Sequence, residues 1–154
     1  MTGEFALREH TADVAVEATG DSPGAVFAAV ADGLAAAQCD DVPATGGERF
    51  DVDRAAEDLE GLLYDYLGRL IYERDVRGVL PVDNEATVSR PDVDGAASSG
   101  DAGDGEADAF SVHASARGVP LDAVDAREVK AVTFSEMVVE PRDDEWYAYV
   151  VFDV

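Results

Sequence analysis

The sequence predicts an α+β fold, a mixed β-sandwich or sheet of about seven strands carrying two main helices. Three observations predict it. Short runs rich in β-branched and aromatic residues recur between Gly, Pro and Asp punctuation, at residues 4–8, 14–17, 50–52, 79–90, 110–117, 129–140 and 146–153. Only two stretches show helical periodicity, and they do not alternate regularly with the strands, which disfavours a doubly wound parallel sheet. The closing stretch 128–154 reads as a β-hairpin too apolar to fray in the way chain ends usually do.

The elements follow in order. A first strand over 4–8 leads into His10-Thr11-Ala12-Asp13, after which Val14 and Val16 alternate with Ala15 and Glu17 up to Gly20. The tetrapeptide is therefore placed in a turn or bulge between two extended segments. His10 reads either as a core or capping histidine or as a site residue; Asp13 reads either as an Asx-turn acceptor or as a site residue. Asp21-Ser22-Pro23 starts a helix, with Ser22 as N-cap and Pro23 at the first helical position. Val26, Phe27, Val30 and Leu34 form its apolar face, and it ends near Cys39. Gly46-Gly47 opens a strand through Phe50 and Val52. A second helix is expected to begin around residues 53–55, with Asp53 or a neighbour as N-cap. Leu59, Leu62, Leu63, Tyr66, Leu67, Leu70 and Ile71 make its buried stripe. A strand over 79–90 carries Pro81 near its start.

Residues 91–109 then change character. Almost nothing there could be buried, and a mobile, disordered acidic insertion within a single 1–154 domain is expected. The EF-hand order DxDxDG with a Glu at the twelfth position is absent from it. The strand over 110–117 puts His113 on a polar, solvated face. Gly118-Val119-Pro120 is expected to turn the chain. In the final hairpin the polar run Pro141-Arg142-Asp143-Asp144 separates the strands. Trp146, Ala148, Val150 and Phe152 occupy one face of the last strand, and Tyr147, Tyr149, Val151 and Asp153 the other. Both faces are largely apolar, so this strand belongs inside a sheet and holds Asp153 firmly.

Composition bounds the function. With 34 acidic against 11 basic residues the formal charge is −23, a strain at low salt through self-repulsion. In molar salt the Debye length falls to about 3 Å and the same charge serves solvation. A halophilic source is the expectation. The isolated chain has no Lys/Arg cluster for phosphate contacts, so direct nucleic-acid binding is not expected. Cys39 is the only cysteine, which precludes an intrachain disulfide and a thiolate zinc cluster, and it reads as a small buried hydrophobe. The first twenty residues lack a signal-peptide pattern, and no apolar run approaches the ~20 residues of a membrane span. A soluble, cytoplasmic protein is expected, with no membrane partner.

Among the carboxylates, Asp13 and Asp153 are those best held by flanking strands. If the strands are neighbours, the two can converge with a terminal oxygen into a hard-oxygen site for Ca²⁺, Mg²⁺ or Mn²⁺. The GxSxG elbow, the P-loop, GxGxxG after a strand and HExxH are all absent. Lys130 stands out in a lysine-poor chain. It reads as a strand lysine paired with Glu128, or as a cation aimed at a phosphate or a partner's acidic site.

Three motifs, in this order, carry a resemblance: His10-Thr11-Ala12-Asp13, Glu128-Val129-Lys130-Ala131-Val132-Thr133 and the closing Phe152-Asp153-Val154. Together with the order of elements between them, they resemble the archease family over nearly the whole chain apart from 91–109. The resemblance implies an accessory protein and not an independent enzyme. Archeases activate the GTP-dependent RtcB-type RNA ligase of tRNA splicing, promoting guanylylation of its histidine and turnover, and can widen its nucleotide use. It implies a divalent-metal site, calcium by preference, on Asp13, Asp153 and the terminal Val154. His10, Lys130 and Glu136 are assigned partner-facing or supporting roles; no catalytic residue is assigned. The family commonly has Tyr-His where this chain has Phe134-Ser135, which alters that part of the surface. Two other classes stay open on the residues: a stand-alone metal-dependent phosphodiesterase or hydrolase, and a chaperone-like interaction module.

Overall fold

The computed structural model describes residues 3–10, 13–90 and 110–153, with the side chains at 8–10, 13 and 135 left out of the description. The expected acidic insertion at 91–109 and Val154 lie outside it. Seven strands form two antiparallel sheets: a four-stranded sheet ordered β1-β2-β7-β6 and a three-stranded sheet ordered β3-β5-β4. The strands are β1 Gly3–His10, β2 Asp13–Gly20, β3 Glu48–Ala56, β4 Val79–Ser89, β5 Phe110–Pro120, β6 Ala131–Arg142 and β7 Glu145–Asp153. Helices α1 Pro23–Gln38 and α2 Leu59–Arg77 complete the chain order. This is the predicted α+β class.

The helices bridge the sheets. Helix α1 packs on β1, β2 and β4, while α2 packs on β3 and β6. Between them lies one apolar core that includes Val16, Phe27, Val30, Val52, Leu63, Tyr66, Leu67, Ala114, Val150 and Phe152. Two glycines let α1 come this close. A Cβ at Gly24 would stand 2.5 Å from the Ala86 carbonyl oxygen, and one at Gly33 2.6 Å from Val16 Cγ1. Ser22 caps α1 as expected, its Oγ accepting from the Ala25 amide at 3.1 Å.

Four local expectations are corrected. The second helix starts later, capped by Asp58, whose Oδ1 accepts from the Gly61 amide at 2.7 Å. Residues 53–56 continue β3 instead, because each pairs with β5 as far as Ala56 opposite Phe110. Gly118-Val119-Pro120 does not turn the chain but extends β5 against Val79–Pro81, where Leu80 and Val119 are both buried. Pro81 is tolerated because β4 is an edge strand. The last hairpin turns on Asp143-Asp144 alone, Pro141 and Arg142 being paired with Trp146 and Glu145. Asp143 takes a left-handed φ of 56°, as a tight two-residue turn requires. Strand β7 does lie inside its sheet. One face is fully buried through Ala148, Val150 and Phe152, whereas Tyr147 and Tyr149 on the other are only half-covered.

Candidate functional site

The register of the four-stranded sheet brings the named residues into one row. His10 opposes Asp13 across β1 and β2, Asp13 opposes Asp153 across β2 and β7, and Asp153 opposes Ala131 across β7 and β6. Directly opposed residues share a face of an antiparallel sheet, with Cβ atoms roughly 4.5–5.5 Å apart. In the neighbouring row Phe152 and Val132 are buried in the core, whereas Asp153 and Ala131 are exposed. The early motif and the chain end are thus adjacent, although 139 residues separate Asp13 from Asp153 in the chain, 153 less 14. The Lys130 amide donates to the Asp153 carbonyl oxygen at 2.8 Å, tying the third motif to the same point.

Like charges directly opposed across strands are destabilising unless something neutralises them. Carboxylate oxygens are the hard donors that calcium or magnesium prefers. One row inward on the same face, Thr133 lies opposite Val151, and its buried Oγ1 has no hydrogen-bond partner. Among the described residues no group of three or more His, Cys, Asp or Glu converges on a metal position. The expected set relies on the Asp13 side chain and on Val154, both outside the description.

The remaining predicted residues sit close by. Lys130 is exposed just before β6 and, among the described residues, has no ion-pair partner; the expected pairing with Glu128 is not formed. Glu136 lies in a bulge. Between Thr133 opposite Val151 and Val138 opposite Tyr149, four residues of β6 face one of β7. Glu136 adopts a left-handed φ of 65° there, a strained conformation that persists only where the surroundings enforce it. The bulge thrusts Phe134 outward, 56% exposed, onto the Tyr64 ring at a centroid distance of 5.3 Å. It thus re-aims Phe134 toward α2.

A concavity of about 650 Å³ lies elsewhere, between α1 and the β4–β5 edge, and is lined by Asp32, Asp51, Asp83, Asn84 and Glu85 among others. Asp32 Oδ1 accepts from the Asn84 amide N at 3.0 Å and from Nδ2 at 2.9 Å. Burial raises the Asp32 carboxyl above its usual range, opposed by those two bonds. Sequence reasoning missed this group. Its signal was available, since Asp32 is the only charged residue in α1. The geometry makes it a helix-to-bulge clamp, with Asp83 at φ 54° held by Arg49 through its carbonyl and carboxylate.

His113 is exposed as expected but not simply solvated. Its Nδ1 bonds the Asp53 carboxylate opposite it in the register. That bond, with the nearby charge of Asp51, holds the imidazole above its ordinary 6.5. A raised histidine contributes stability that is complete below 6.5 and is lost as pH rises through the raised value. In NMR titrations His113 is expected to titrate above 6.5, and Asp53→Asn to return it toward that value. A midpoint at or below 6.5 in the unmodified chain contradicts the pairing.

Comparison with known proteins places these features in a family. The family model described as the Archease protein family matches residues 5–154. The chain is 30% identical over 150 residues to "Protein archease" of Pyrococcus abyssi, covering 95% of each. To the Methanopyrus kandleri protein of the same name it is 29% identical, covering 95% of this chain and 96% of that one. Among solved structures, protein 1598 of Methanobacterium thermoautotrophicum superposes with a TM-score of 0.73 at 25% identity, covering 99% of this chain and 98% of its own. A Thermotoga maritima archease, described as a possible chaperone, shares the fold with a TM-score of 0.58 at 21% identity, covering 96% and 94%.

Proposed function

This chain belongs to the archease family, and we propose that it is an accessory protein activating a GTP-dependent, RtcB-type RNA ligase in tRNA splicing. In this reading it has no turnover of its own and promotes guanylylation of the ligase. The observation that carries the reading is the cross-strand pairing of Asp13 with Asp153, which sets the two aspartates directly opposite each other in β2 and β7. Asp13, Asp153 and a carboxyl or carbonyl oxygen of Val154 would hold a divalent cation, calcium by preference, with magnesium or manganese admitted by the same oxygen donors. When bound, it would offset the repulsion between these carboxylates and hold their oxygens at one point.

The chain's own residues supply the rest. The four-strand row sets Asp13 opposite Asp153, and the Lys130 amide bond to Asp153 fixes the end of β7. Lys130 adds a cation beside the row, suited to a phosphate or to an acidic group of the ligase. His10 stands at the far end of the row, and Glu136 at the bulge.

The test is guanylylation of the cognate ligase with and without this protein. The wild-type chain is expected to raise the rate, and Asp13→Ala and Asp153→Ala to lose most of that stimulation. Unchanged stimulation by both variants ends the proposal. Two other outcomes replace it: phosphoester hydrolysis by the chain alone points to a hydrolase, and suppression of aggregation of unrelated proteins without ligase stimulation to a chaperone.

A further inference from the structure

Beside the row, a groove of about 410 Å³ runs between α2 and the start of β6, lined by Arg54, Tyr64, Gly68, Arg69, Tyr72 and Lys130 among others. It is flanked by an apolar stripe unusual on so acidic a chain. Tyr64, Tyr72 and Val76 are 39%, 51% and 63% exposed, and Phe134 packs on Tyr64. Tyr64, Gly68, Tyr72 and Val76 recur every fourth residue, so they lie along one face of α2 opposite Leu63, Tyr66, Leu67 and Leu70 in the core. Gly68 is the informative member. Glycine inside a helix is less favourable than alanine, and close packing usually accounts for it, as at Gly24 and Gly33. A Cβ at Gly68 would meet nothing within 4 Å. Among the described residues nothing requires this notch, and it stands between two exposed tyrosines.

We propose that this notched face of α2 is a docking surface for the partner ligase, which inserts an apolar side chain at Gly68 flanked by carboxylates. The inference rests on the ligase reading above and adds where the ligase sits. Charge selects the occupant. Arg54, Arg69 and Lys130 line the groove against the single carboxylate of Asp65, although the chain as a whole has about three acids for each base. Arg69 is engaged by Glu73 at 2.8 Å and lies over the Tyr72 ring at 4.6 Å, stiffening that wall. Arg54 and Lys130 have no ion-pair partner among the described residues. From Tyr64 to Val76 the stripe advances twelve residue steps, about 18 Å. The groove also adjoins the carboxylate row, because Ala131 lines it and opposes Asp153.

The experiment measures ligase guanylylation against the concentration of this protein in molar KCl, using wild type, Gly68→Ala, Gly68→Leu, Arg54→Glu and Asp153→Asn, with a melting temperature for each. Gly68→Ala and Gly68→Leu are expected to melt higher than wild type, because nothing among the described residues opposes the added side chain. Gly68→Leu is expected to need at least tenfold more protein for half-maximal stimulation, Gly68→Ala and Arg54→Glu severalfold more, all with the maximal rate unchanged. Asp153→Asn instead lowers the maximum, which separates the two sites. If Gly68→Leu and Arg54→Glu stimulate at wild-type concentrations, the docking surface is wrong and the ligase reading stands. If the wild-type chain neither binds nor stimulates the ligase, that reading fails and takes this one with it. If the free chain is a dimer that Gly68→Leu dissociates, a second copy fills the groove and the proposal is overturned.

Discussion

Replacing Phe152 with alanine is expected to lower the unfolding free energy by about 3–5 kcal/mol, the range for emptying a buried aromatic site. Phe152 has no exposed surface and lies in the central strand of the larger sheet, paired with Val14 on one side and Val132 on the other. Both neighbouring strands lean on it, so the cavity has few ways to collapse. Against a typical domain stability of about 5–15 kcal/mol, a loss of this size removes from about a fifth to all of it. The consequence reaches the site, because the next residue is Asp153 and its pairing with Asp13 depends on β7 staying in place. Equilibrium denaturation in molar salt, at fixed calcium, is the measurement. A loss under about 1 kcal/mol would mean the chain end is not part of the cooperative core.

The second expected large effect is selective loss of divalent-ion stabilisation in Asp13→Asn and Asp153→Asn. In the absence of added calcium, either change relieves a like-charge pair and should leave the chain as stable as wild type or slightly more so. With calcium added, only the wild type should gain, since a ligand of the folded state stabilises by about 2.7 kcal/mol at a hundred times its dissociation constant. The crossing of the two behaviours is the diagnostic feature. A purely structural aspartate would show destabilisation in both conditions, and a spectator aspartate would show no difference in either.

Where the sequence reading succeeded, the determinants were local. Ser22-Pro23 announces α1 because a cap and a fixed φ act within one turn, and the leucine stripe of α2 repeats on its own face. Asp53–Ala56 misled for the converse reason. Its composition suits a helix start, but its backbone bonds go to residues 110–113, nearly sixty positions away, and no local pattern encodes that pairing. The same holds for Gly118-Val119-Pro120, turn-like in isolation and held extended by Leu80 and its neighbours. At the candidate site the motifs named Asp13 and Asp153, but alternation could only put each on some face. Their being directly opposed is a matter of register, set by the core pairing of Val14 with Phe152 one position away. The β6 bulge that displaces Phe134 and Glu136 had no sequence signal beyond an interruption of strict alternation. The outer face of α2 was passed over because attention to its buried stripe made the intervening tyrosines look like ordinary surface.

Calcium titration followed by melting temperature in molar KCl tests the pairing of the carboxylates most directly. At that ionic strength screening over about 3 Å suppresses diffuse binding to the acidic surface and leaves a specific site in view. The wild-type chain should melt progressively higher with calcium and saturate, while Asp13→Asn and Asp153→Asn stay flat. Equal shifts in all three proteins, or none in the wild type, would contradict a cation shared between the two aspartates.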